Sequence, residues 1–219
     1  MRFEVKGNPS YGEVDVDLGP NETLLIEPGA MSRMSSNLNS SFQRQGGFFS
    51  AMFRKMFGGE NFFLGKYEHP DGGKLTFAPS IPGHVEHRQL TNNSLNIMAG
   101  GFLACTPGVN IKAKFGGLKA LFSGEGAFLL EASGSGDLFF NSFGGVVEKQ
   151  INGEFVVDTG HVVAFDPSLD YKITGMGSFK STMLSGEGLV MRFSGNGKLY
   201  LQTRNLSGIA SWLTPRLLG

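Results

Sequence analysis

The chain has 219 residues, with 19 Lys plus Arg balanced by 19 Asp plus Glu. A formal net charge of zero argues against bulk electrostatic binding to nucleic acid, which rests on a phosphate-neutralising basic face, and leaves room for a local basic patch. One cysteine, Cys105, excludes an intrachain disulfide, and its apolar surroundings make it an expected buried thiol.

In chain order, the start Met1-Arg-Phe-Glu-Val-Lys6 has no apolar core of signal-peptide length, and no later segment approaches the roughly 20 apolar residues of a membrane span. A cytoplasmic protein is therefore expected. Glu13-Val14-Asp15-Val16-Asp17-Leu18 alternates strictly, as a half-buried strand requires. A Gly19-Pro20-Asn21 turn leads into a second strand, and the Ser- and Asn-rich stretch from Ser32 to Gly47 reads as a surface loop. Further hairpin turns are predicted at residues 91–93, at Asn152-Gly153, and at the Gly-x-Gly sequences 134–136 and 195–197. Glycine, at 33 residues, punctuates short apolar runs instead of forming one tract, which is the pattern of many strands and not of a linker. A helix is predicted from an Asn205 N-cap through Leu206, Ile209, Ala210 and Leu213, ending at Pro215.

Self-similarity organises these elements. A Gly-Glu pair followed by an apolar run occurs at Gly59-Glu60, Gly124-Glu125 and Gly186-Glu187, with the glutamates 65 and 62 positions apart. A second marker, centred on Gly29, Gly100 and Gly160, keeps the same order at spacings of 71 and 60. Two markers in one order at nearly one period predict three tandem units, residues 1–80, 81–145 and 146–219, packed as one body because units this small bury little surface alone. The expected class is all-β: three β-sandwich or double-stranded β-helix-like repeats about a pseudo-threefold axis, with short helices and a C-terminal helix.

Candidate chemistry is sparse. Glu60, Glu125 and Glu187 are the sharpest polar recurrence; they either close turns through backbone N–H groups or converge on a cation. His84 and His87 fall on opposite faces of a predicted strand, which argues against a shared metal. No Gly-x-Ser-x-Gly elbow or Gly-x-Gly-x-x-Gly loop is present. The segment around Phe48, Phe49, Met52, Phe53, Met56 and Phe57 has helical spacing with Arg54 and Lys55 beside it, and suits a membrane surface, a protein partner or a cover over the β core.

Gly59-Glu60-Asn61-Phe62-Phe63-Leu64, the Gly124-Glu125-Gly126 unit and the ending Arg204-Asn205-Leu206-Ser207-Gly208-Ile209-Ala210-Ser211-Trp212-Leu213 together resemble bacterial proteins similar to the altered-inheritance-of-mitochondria family. The resemblance covers nearly the whole chain. It implies three repeats, each similar in fold to a subunit of the tryptophan-sensing RNA-binding attenuation protein, and it carries over no catalytic residue. Mitochondrial relatives are linked to inner-membrane organisation. The reading is a non-enzymatic assembly or scaffold protein without a cofactor, acting near a membrane and forming a homo-oligomer; the alternative is a ligand- or RNA-binding module, with an enzyme third.

Overall fold

The computed structural model describes residues 1–44, 63–114, 129–175 and 189–217. The alternating segment near the N-terminus forms its predicted strand, with Val14, Val16 and Leu18 buried and Glu13, Asp15 and Asp17 facing outward. In chain order the strands are β1 (Arg2–Lys6), β2 (Glu13–Leu18), β3 (Thr23–Ile26), β4 (Met31–Met34), β5 (Asn39–Arg44), β6 (Phe63–Glu68) and β7 (Gly73–Phe77). There follow β8 (Val85–Met98), β9 (Phe102–Cys105), β10 (Val109–Lys114) and β11 (Leu129–Asn141). The last are β12 (Val146–Asp158), β13 (Val162–Phe165), β14 (Leu169–Gly175) and β15 (Leu189–Gln202), and the chain closes with helix α1 (Leu206–Leu217). The protein is mostly β, built on large antiparallel sheets. Among the described residues a four-stranded sheet runs β1-β2-β7-β4, and an eleven-stranded sheet runs β12-β15-β13-β8-β11-β9-β3-β6-β5 with β10 and β14 added on β11 and β15. Among the described residues no sheet closes into a barrel.

Three expectations are corrected here. Residues 91–93 and 152–153 are not hairpin turns, because β8 and β12 run through them, and the Gly-x-Gly sequences lie inside β11 and β15. The physical reason is pairing: β8 lies along β11 and β12 along β15 for their full lengths, so positive-φ residues on the two strands meet and bend the ribbon together. Gly153 (φ 106°) lies opposite Gly195 (φ 122°), and Gly134 (φ 120°) lies opposite Asn93 beside Asn92 (φ 56°). Near the N-terminus, β2 pairs β7 in one sheet while β3 pairs β6 in the other.

The second correction is the loop expected from Ser32 to Gly47, part of which is strand. β4 and β5 are held by backbone bonds to β7 and β6, which need no apolar side chains. The third is Pro215, which lies inside α1. Proline's φ suits the last turn, and only one backbone bond is lost. Thr214 Oγ1 donates to the Ala210 carbonyl at 2.7 Å in the same turn.

Sequence differences decide how the segments join. β9 is Phe102-Leu-Ala-Cys105 and β13 is Val162-Val-Ala-Phe165, all buried; β9 pairs with β3 and β13 pairs with β8. β4 is Met31-Ser-Arg-Met34, all exposed, and among the described residues it pairs only with β7. A buried strand needs apolar residues on both faces, and Ser32 and Arg33 deny β4 that position. Under this framework Val14, Leu75, Phe77, Ile26, Leu103 and Phe139 pack between the two sheets. Phe165, Met191, Phe193 and Leu199 form a separate cluster near the C-terminal strands. Burying each phenylalanine contributes about 2 kcal/mol.

Candidate functional site

The sequence candidates Phe48, Phe49, Met52, Phe53, Met56 and Phe57, and the glutamates Glu60, Glu125 and Glu187, lie outside the described residues, as do the short helical segments predicted near residues 118–122 and 179–184. The histidines separate as their strand spacing requires. His84 lies 3.0 Å from Glu86 Oε2, while His87 meets Asp137 Oδ1 at 2.9 Å and stacks near Phe3 and Phe139. Among the described residues no three His, Cys, Asp or Glu side chains gather as metal ligands. Cys105 is fully buried, and burial pushes its thiol up to about 12, far from a reactive thiolate.

A cavity of about 780 Å³ lies where the N-terminal turn of α1 meets the ends of β11, β12 and β15. β12 ends at Asp158, whose Oδ1 accepts from the Gly160 N–H at 2.7 Å and caps the 3₁₀ turn Thr159–His161. Gln202, at the end of β15, ties this turn to its surroundings: Oε1 accepts from the Phe143 N–H at 2.9 Å, and Nε2 donates to the Gly160 carbonyl at 2.7 Å. The Gln202 carbonyl faces His161 Nδ1 at 2.8 Å. A carbonyl can only accept, so Nδ1 carries the proton. Asn205 is the predicted N-cap: its Oδ1 accepts from the N–H groups of Ser207 at 3.0 Å and Gly208 at 3.4 Å, and its Nδ2 lies 3.3 Å from Asp158 Oδ1. Met98, Phe143, Val162 and Leu206 supply apolar wall.

Asn141 also lines this cavity, at the end of β11. It stands five residues beyond Gly136, as Gln202 stands five beyond Gly197. Gln202 uses both ends of its amide, whereas Asn141 is only 4% exposed and its Oδ1 has no hydrogen-bond partner among the described residues. Sequence reading missed both residues, because an amide at a strand end carries no motif.

A second polar surface covers the outer face of the four-stranded sheet, beside a shallow groove of about 610 Å³. Arg33 donates to both Glu13 oxygens at 3.0 and 2.9 Å and to Asp15 at 2.9 Å. Lys6 meets Asp15 at 2.7 Å, and Thr76 donates to the same carboxylate at 2.5 Å. Hydrogen bonds from Lys6 and Thr76 hold Asp15 down at about 2. These charges satisfy one another. Glu27, beyond β3, differs: burial pushes its carboxyl up to about 7.

Residues 3–204 match the model of the family described as mitochondrial biogenesis AIM24. The chain belongs to the AIM24 family. An uncharacterised protein of Streptococcus pyogenes serotype M6 is 31% identical over 222 residues, spanning 97% of this chain and 90% of that one. A crystal structure of a Streptococcus pyogenes protein is 29% identical, with a TM-score of 0.82 over 98% of this chain and 99% of its own. Within this AIM24-family chain, no helix among the described residues is long and apolar enough to cross a membrane.

Proposed function

We propose that this AIM24-family protein is a non-enzymatic assembly protein of the cytoplasm that associates with further copies of itself through α1. One observation carries the reading: none of the helix's twelve residues is buried, and Leu206, Ile209, Trp212, Leu213 and Leu217 are all exposed. Exposed apolar surface on this scale marks a contact face. Closed symmetry is the usual form for identical chains. Along β1, β2 and β4, Lys6 and Arg33 are already paired with carboxylates, which favours assembly over an RNA-binding role.

The same proposal includes three tandem units. Supporting it, β5 pairs β6, β10 pairs β11 and β14 pairs β15, each across one of the three undescribed segments, and β4, β9 and β13 each add to β7, β11 and β15.

Light scattering coupled to gel filtration at high micromolar concentration tests the assembly. The expected result is a multimer, and Ile209→Glu shifts it to monomer without loss of β-sheet signal. Flotation with anionic vesicles separates a membrane role for the helix from self-association. A monomer at that concentration overturns the proposal.

A further inference from the structure

We infer that the outer edge of β12 at residues 154–158 is a docking site for an extended apolar segment of a partner protein, added as one more antiparallel strand. Two strands earlier in the chain already carry such an addition. β9 lies on β3 with Ala104 opposite Ile26 and Cys105 opposite Leu25, and β13 lies on β8 with Ala164 opposite Ile97 and Phe165 opposite Asn96. Each added strand is four apolar residues, all buried, with alanine third. In the three-unit reading, on which this inference rests, Val157 holds the place of Ile26 and Ile97, each three residues before a marker glycine, and Val156 holds that of Leu25 and Asn96. Among the described residues β12 pairs with β15 alone and ends its sheet.

Backbone and side chains both offer this edge for pairing. Lys198, opposite Gln150, turns its N–H and its carbonyl to Asp166 on the far side of β15. Because amides alternate along a strand, Gln150 and every second residue after it, Val156 included, turn N–H and carbonyl away from β15. Where the added strand is present, Leu24, Ile26, Leu95 and Ile97 are fully buried; on β12, Phe155 and Val157 are only partly buried against the cluster of Phe165, Met191 and Phe193. Val156 is 41% exposed, against 0% for Leu25 and 6% for Asn96. Unpaired amides beside half-covered apolar side chains are what strand addition uses, the backbone supplying affinity and the side chains selectivity. β4 of a second copy is the wrong occupant, since Ser32 and Arg33 stand where Leu103 and Ala104 do, and Arg33 is held by Glu13 and Asp15. Glu154 is exposed and has no ion pair among the described residues. Extending the register of β13 on β8 sets it opposite the second residue after the apolar segment, where it favours a basic side chain.

Fluorescence anisotropy on the full chain tests the site with two labelled peptides, one carrying residues 161–166 followed by a lysine, the other residues 30–35 followed by a lysine. The first is expected to bind saturably and the second about tenfold more weakly or worse. Val156→Pro removes the outward N–H and leaves the bonds to β15 in place, so it should weaken the first peptide about tenfold with Tm unchanged. In the unmutated protein the Val156 amide should exchange more slowly with deuterium once the first peptide saturates, a readout independent of how the variant folds. Equal affinity for the two peptides, unchanged affinity in Val156→Pro, or a Val156 amide unprotected at saturation each overturns the inference. Protection of the Val156 amide on concentrating the protein alone assigns the edge to a second copy and overturns it as well. Such a failure leaves the three-unit reading standing, because that reading is judged by whether the strands of residues 1–80, 81–145 and 146–219 superpose.

Discussion

Arg88 donates from Nη1 to the phenol oxygen of Tyr200 at 2.9 Å, linking two residues 112 positions apart. Its Nη2 lies 3.1 Å from Asp166 Oδ1 as an ion pair, and its guanidinium stands 5.9 Å from the Tyr200 ring centroid. Asp166 Oδ2 in turn accepts the Lys198 N–H at 2.9 Å, so β8 is fastened to the β13–β15 region through one side chain. Arg88→Ala should destabilise the protein by about 2 kcal/mol, since it strands a partly buried carboxylate as well as a phenol. Tyr200→Phe should cost about 1 kcal/mol. Urea unfolding of both variants and the double mutant checks this, with the double mutant costing less than the sum of the two.

Glu27 gives stability a downward slope with pH. Its folded carboxyl titrates near 7 against an ordinary 4.5, because burial disfavours the charge. The folded state therefore holds a proton that the unfolded state has lost across that window, so stability is full below 4.5 and falls as pH rises toward 7. Glu27→Gln should remove this slope and stabilise the protein at pH 8 by about 2 kcal/mol. Denaturant midpoints at pH 5 and pH 8 provide the check, with the gain confined to the higher pH.

Asp15 contributes with the opposite sign. Its carboxyl is held at about 2 by Lys6 and Thr76, against an ordinary 3.8. Its stabilisation is present above 3.8 and is lost as pH falls through about 2. Asp15→Asn should flatten the acid limb of the stability curve between pH 4 and 2, read by circular dichroism during acid titration.

The ribbon bends should separate strain from crowding. A Cβ on Gly134 would lie 2.3 Å from the Gly108 carbonyl oxygen, in addition to a φ that side chains rarely adopt. Gly153 has positive φ but open space around it. Gly134→Ala should cost about 3 kcal/mol or more, and Gly153→Ala about 1 kcal/mol. Thermal unfolding of the two variants measures the difference.

How much of the site was legible follows from the range of each interaction. Asn205 as N-cap was legible because it bonds residues two and three positions ahead. The cavity was not: Asn141, Asp158, His161 and Gln202 are brought together by pairings up to 59 positions apart, as between Gln202 and Phe143. The Gly-x-Gly sequences misled for a related reason. Positive φ is a local property, but whether it ends a strand or bends it depends on what lies alongside.

The amino-acid sequence by itself determined the β class, the buried faces of strands such as β2, the placement of Cys105 in the core, the start of α1 and membership of the AIM24 family. These rest on alternation, short-range hydrogen bonds and residue identity, all readable within a few positions. Only the tertiary structure decided that β8 and β11, and β12 and β15, are continuous bent ribbons, that β4 stays exposed while β9 and β13 are buried, and that among the described residues Asn141 Oδ1 has no partner while Gln202 uses both ends of its amide. Each is settled by which strand lies next to which, a choice made by the summed burial of residues far apart in the chain.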